Sequence, residues 1–100
     1  HYPDGRYHSL FIGKPIIDDQ KNIYLAIMQG IRKFTSSGEL LWSWNVTQIG
    51  RDPKSAYVMD TPAIMNGVLY DCITDGTVFA LDMQKGVLMW MSEVTAHGIP

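Results

Sequence analysis

Few side chains in this 100-residue sequence have types and spacing able to support chemistry: three histidines, a pair of adjacent carboxylates, two glutamates and one thiol. His1, His8 and His97 are scattered toward the two ends, with none of the short spacings that place ligands around one zinc ion. They read as solvated or packed histidines. Asp18-Asp19 lies between two apolar runs, where aspartate is an ordinary turn residue; calcium binding is the other use of such a pair, and the turn is the preferred reading. Cys72 is the only cysteine, which excludes an internal disulfide and a cysteine-clustered zinc or iron–sulfur centre. It sits in the apolar run Leu69 to Ile73 and reads as a structural thiol. Five of the six methionines, Met59, Met65, Met83, Met89 and Met91, follow strand spacing, so packing is preferred to soft-metal ligation. Asn45-Val46-Thr47 forms an N-glycosylation acceptor triplet just after a strand-like run, which makes Asn45 a candidate glycan site.

Composition narrows the classes further. Hydrophobic residues make up 46% and charged residues 18% of the chain, the balance of a folded globular domain. A net charge of −2 lacks the basic face that a sequence-blind nucleic-acid binder needs to displace counterions. No apolar run reaches the roughly 18 residues of a transmembrane helix, and His1 to Arg6 have neither a signal-peptide nor a transit-peptide pattern.

The elements that must position these groups come in two similar copies. Lys14-Pro15-Ile16-Ile17 through Gly38-Glu39-Leu40-Leu41-Trp42 parallels Thr61-Pro62-Ala63-Ile64 through Gly86-Val87-Leu88-Met89-Trp90. The two tryptophans lie 48 residues apart, each four places after a glycine. A tandem unit of that length points to a propeller or solenoid array. In the second copy Asn66-Gly67 supplies the positive φ angles of a tight hairpin between residues 62–65 and 68–73. Asp75-Gly76 and Met83 to Gly86 then separate strands at 77–81 and 87–91. The first copy follows the same plan over 15–17, 23–27, 31–34 and 40–44, with Tyr24 matching Tyr70 and Gly30 matching Gly76. Residues 45–60 carry glycine, proline and charge without sustained period and read as a surface loop between two units, at 14–44 and 61–94, flanked by an extension over 1–13 and a tail over 95–100. In the strands, apolar residues occupy both alternating sets, as in a sheet covered on both faces. The expected fold is therefore all-β, with two four-stranded antiparallel meanders stacked as propeller blades.

Ala80-Leu81-Asp82-Met83-Gln84-Lys85-Gly86-Val87-Leu88-Met89-Trp90, with the upstream Thr-Pro-Ala-Ile and Gly-Val-Leu-Tyr, resembles the repeat of the pyrroloquinoline-quinone (PQQ) type β-propellers. Residues 14–44 look like a more degenerate copy, with Phe34-Thr35 where the second has Leu81-Asp82. The resemblance implies that a tryptophan, Trp42 or Trp90, docks on a glycine peptide of the neighbouring blade, so that Gly38 and Gly86 are the candidate receiving positions. Tryptophan suits this role because it buries a large flat surface and keeps a polar N–H, while glycine admits close approach. Asp82 is expected to brace its own turn.

The family includes periplasmic quinoprotein dehydrogenases, a lipoprotein scaffold of outer-membrane barrel assembly and lumenal sensor domains of kinases, so the fold alone does not choose an activity. A quinoprotein dehydrogenase would need calcium held by glutamate and asparagine, an aspartate base, PQQ and often adjacent cysteines. With one cysteine and two glutamates, Glu39 and Glu93, that set is incomplete within these residues. The expectation is a non-catalytic interaction scaffold without cofactor, either a segment of a longer propeller or a small two-blade subunit, partnered by other protein chains or further blades. PQQ-dependent oxidation of an alcohol or sugar by a larger protein is the alternative, and peptide binding by strand addition a third. The resemblance and the Asn45 triplet lean toward an extracytoplasmic or organelle-lumen location.

Overall fold

Residues 13–94 are described by the structure, a computed structural model. His1, His8 and His97 lie outside them, as do most of the extension and the whole tail. The first sheet contains β1 (Ile16–Ile17), β2 (Ile23–Ile27), β3 (Gly30–Phe34) and β4 (Leu40–Asn45). The second contains β5 (Ala63–Met65), β6 (Val68–Cys72), β7 (Thr77–Asp82) and β8 (Leu88–Glu93). Each sheet is an antiparallel meander in chain order. No helix among the described residues is long and apolar enough to cross a membrane.

Local sequence explains the punctuation. Asn66 and Gly67 both take positive φ, 52° and 81°, which turns β5 directly back into β6. In the first sheet Lys21 carries the positive φ, 69°, and Asp18 anchors that turn by accepting the N–H groups of Gln20 and Asn22 at 2.8 and 3.0 Å. Each sheet also has a register shift at the same place, between Lys33 and Phe34 in one and between Ala80 and Leu81 in the other. Pairing around these shifts makes Lys33 the counterpart of Ala80, Trp42 of Trp90 and Tyr24 of Tyr70. It makes Gly30 the counterpart of Thr77 rather than of Gly76: Gly30 pairs with Asn45 as Thr77 pairs with Glu93, and Gly76 precedes the strand.

The core lies between the two sheets. Tyr24, Ala26, Ile31 and Trp44 of the first sheet join Leu69, Phe79 and Leu81 of the second, and Ile73 just after β6, in one buried cluster. At its centre the rings of Trp44 and Phe79 stack with centroids 4.5 Å apart and planes 25° from parallel.

Between the sheets the chain departs from the expected surface loop. Asn45 still belongs to β4, a 3-10 helix follows over Val46–Ile49, and Val46, Ala56 and Val58 are buried in the inter-sheet core. Val58 bridges to Ile73, and its N–H donates to the Met28 carbonyl at 3.2 Å. The stretch is polar on average, which is what composition reports, but Val46, Ala56 and Val58 point inward and tie both sheets together.

Because Phe79 stacks across the sheet boundary, Phe79→Ala should lower stability by about 3–5 kcal/mol and should unfold both sheets in one transition. Urea denaturation followed by circular dichroism and tryptophan fluorescence checks this, with two separated transitions as the contrary result.

Candidate functional site

The seam between the sheets is built around one carbonyl group. Trp42 on β4 faces the second sheet, and its indole Nε1 donates to the Met83 carbonyl at 2.9 Å. Lys33, its cross-strand partner on β3, donates to the same oxygen from Nζ, also at 2.9 Å. The lysine is only 6% exposed, and its ammonium sits 5.1 Å from the centroid of the Tyr24 ring. A buried cation is costly unless its charge is received; here a carbonyl dipole and an aromatic face receive it. Tyr24 in turn donates its hydroxyl to Asp18 at 2.7 Å. Burial of Tyr24, reinforced by that bond to an anion, pushes its ionisation well above the usual phenol range.

The receiving turn is shaped to match. Asp82 Oδ1 accepts the N–H groups of Gln84 and Lys85 at 2.8 and 2.9 Å, and Gly86 donates to the Asp82 carbonyl at 2.8 Å. The Lys85 N–H foremost holds the Asp82 carboxyl below its ordinary range. Gly86 takes φ +71°, and a Cβ there would stand 2.3 Å from Cδ2 of the Trp42 ring. The indole therefore occupies the space that any other residue's side chain would need. Beside this contact a cleft of about 630 Å³ opens between the sheets, lined by Asp18, Tyr24, Lys33, Gly67, Asp82 and Met83.

Of the two candidate tryptophans, Trp42 lies in this seam and Trp90 lies on the outward face of the second sheet, 45% exposed. Ala80 is buried between Tyr70 and Trp90 in the sheet register. Gly38 takes φ +92°, and a Cβ there would meet nothing within 4 Å. The structure thus brings Trp42, Asp82 and Gly86 together and leaves Gly38 and Trp90 outside that seam. Asn45 closes β4 as the cap of the 3-10 helix, with its Oδ1 buried and its backbone N–H donated to Gln48 at 2.8 Å. Cys72 is half-buried, its thiol 3.9 Å from the Met59 sulfur. Among the described residues no cluster of three or more histidine, cysteine, aspartate or glutamate side chains is poised to hold a metal ion.

Three contributors carry no motif that sequence reasoning would single out. Lys33 looks like an ordinary charged strand residue until its register with Trp42 is known. Arg51 pins the connecting segment to the second sheet, donating to Asp75, to Thr77 at 3.2 Å and to Glu93. Asp71 on β6 is 8% exposed; its Oδ1 accepts the Cys72 N–H, while its Oδ2 has no hydrogen-bond partner among the described residues. Burial, helped by the charge of Asp60, pushes its carboxyl up to about 7.

Known proteins share this architecture. No family model matches the chain. The outer membrane protein assembly factor BamB of Moranella endobia (strain PCIT) is 29% identical over 85 residues, which cover 82% of this chain and 20% of that protein. The protein of the same name from Salmonella typhimurium is 30% identical over 60 residues, covering 57% of this chain and 15% of its own length. The chain thus spans a fifth or less of the length of these curated relatives. The crystal structure of BamB from Moraxella catarrhalis superposes with a TM-score of 0.66 at 21% identity, over 85% of this chain and 27% of that one. The two sheets are blades of a PQQ-like β-propeller, as the sequence resemblance implies.

Two outcomes follow from the seam. Gly86→Ala should destabilise the chain by about 2–4 kcal/mol through strain and overpacking. Gly50→Ala is the control, since Gly50 has a similar φ, +76°, with nothing within 4 Å of its Cβ position; it should cost only about 1 kcal/mol. Equal losses in thermal denaturation would contradict the docking geometry. Asp71 sets a pH dependence: its folded carboxyl titrates near 7 against an ordinary 3.8, so its protonated form favours the fold at low pH. That contribution is complete below the ordinary value, declines as pH rises and is gone above the folded value. Asp71→Asn should accordingly raise the melting temperature at pH 8 and change it little at pH 4, read by thermal scans at both.

Proposed function

We propose that this pair of blades forms part of a non-catalytic protein-interaction scaffold that serves outer membrane protein assembly outside the cytoplasm. The observation that carries the reading is the seam itself. The conspicuous polar and aromatic groups, Trp42, Lys33, Tyr24, Asp18 and Asp82, bond to one another or to backbone and hold one sheet on the next. The named function of the relatives supplies the setting. A scaffold needs rigid, stackable sheets with exposed surface left for partners, which here are other protein chains or further blades.

The quinoprotein alternative fits these residues poorly. Glu39 lies on the exposed turn before β4, whereas Glu93 ends β8 and is paired with Arg51. Glu39 precedes the last strand of the first sheet while Glu93 ends the last strand of the second, and Cys72 has no adjacent cysteine to set against PQQ. No calcium or PQQ step is assigned to this chain. The place of Asn45 at the end of β4, with its Oδ1 buried, weighs against glycosylation.

A chimera tests the proposal. In a Salmonella typhimurium strain lacking its own assembly factor, a version of that factor carrying residues 13–94 in place of its matching stretch should restore outer membrane protein levels. The same chimera with Gly86→Ala should restore them less well. A chimera that is folded and abundant yet leaves those levels as low as in the deletion strain would overturn the reading.

A further inference from the structure

Beside the seam runs a groove that the contact between the sheets does not use. Two clefts of about 630 and 460 Å³ meet there and share Asp18, Asp19, Asn66, Gly67 and Met83. Both walls lie within the described residues, the β1–β2 turn of the first sheet facing the β5–β6 and β7–β8 turns of the second. The first wall is acidic. Asp18 commits its carboxylate to the turn and to Tyr24, whereas its neighbour Asp19 is exposed and takes no part in those bonds. Asp82 adds a third carboxylate; among the described residues the one cation lining the groove is Lys33, already held by the Met83 carbonyl and the Tyr24 ring. Lys21 and Lys85, on the flanking turns, line neither cleft. The second wall is apolar and rich in methionine. Met65 and Met89 are 60% and 52% exposed, Met83 joins them, and Ile17 on the opposite wall is 62% exposed. Flexible, polarizable thioethers adapt to varied apolar ligands. Gln20, Asn66 and Gln84 hold exposed side-chain amides along the same groove, each able to donate to and accept from a peptide backbone.

We propose that this groove binds an extended peptide segment of a partner protein in which basic and apolar side chains alternate. Successive side chains of an extended chain point to opposite sides, so one set meets the carboxylates of Asp18 and Asp19 while the other meets the methionines of the second sheet. Charge complementarity chooses the occupant. An acidic segment brings like charges onto Asp18 and Asp19, and a wholly apolar one leaves those carboxylates without a counter-charge as water is displaced. A basic segment without apolar side chains leaves Ile17 and Met65 in water and gains only a screened surface attraction. Both features are needed together. The inference deepens the scaffold reading above: it rests on the partners being protein chains and says what one of them brings to the seam.

Fluorescence anisotropy of a labelled hexapeptide of alternating leucine and arginine, titrated with the 100-residue chain, tests it. The peptide should bind saturably, one to one, and about tenfold or more tightly than hexapeptides alternating leucine with glutamate or serine with arginine. Asp19→Lys and Met65→Glu should each weaken its binding about tenfold or more. Both positions are exposed, so each variant should keep the near-ultraviolet circular dichroism signal of the Trp44–Phe79 stack. Glu39→Lys, which changes the net charge as Asp19→Lys does but at an exposed position outside the groove, should bind like the unsubstituted chain. No saturable binding by about 1 mM chain, equal binding of the three peptides, or losses in the two groove variants no larger than in Glu39→Lys would each overturn the inference. A chain that binds no peptide beside a working chimera would remove the groove and leave the scaffold standing. Selective binding beside a failed chimera would keep the groove and remove the scaffold.

Discussion

An indole lying on a peptide that has no side chain is the constraint around which this molecule is organised. Trp42 reaches the Met83 carbonyl only because Gly86 leaves its own side-chain space empty, and Gly86 holds its left-handed conformation because Asp82 braces the turn. The contact combines large apolar burial with one directional bond, so it selects a single stacking geometry for the two sheets. Nonspecific apolar packing would tolerate sliding between sheets; a hydrogen bond to one fixed carbonyl does not.

Lys33 shows how such a seam accommodates a charge. Placed beside Trp42 by strand register, it shares the tryptophan's acceptor and rests over Tyr24, whose hydroxyl is held by Asp18. The chain from Asp18 to Met83 thus crosses from the first turn of one sheet to the third turn of the other through side chains that each have a partner. Asp71 is the contrasting case, a buried carboxyl with one oxygen unpaired among the described residues, where the environment answers by favouring the protonated form.

Repetition then carries consequences beyond one contact. The two sheets share strand order, bulge position and aromatic pair, so the contact that joins them draws on positions that both sheets possess. Stacking proteins of this kind depend on nearest-neighbour interfaces, of which the Trp42–Gly86 seam is one.

Much of this was legible in the chain's residues. The meanders, the Asn66-Gly67 hairpin, the turn at Asp82 to Gly86 and the candidate docking tryptophans follow from local rules: turn residues that supply positive φ, apolar runs of strand length, and two copies that agree in spacing. What no local rule contains is which face meets which. That Trp42 rather than Trp90 fills a seam, that Lys33 is buried and that Val46, Ala56 and Val58 belong to the core were decided by the tertiary structure. The physical reason is that strand periodicity identifies the residues sharing a face but carries no record of what lies beyond it. Burial, shared acceptors and shifted ionisation arise only when a second sheet removes the water.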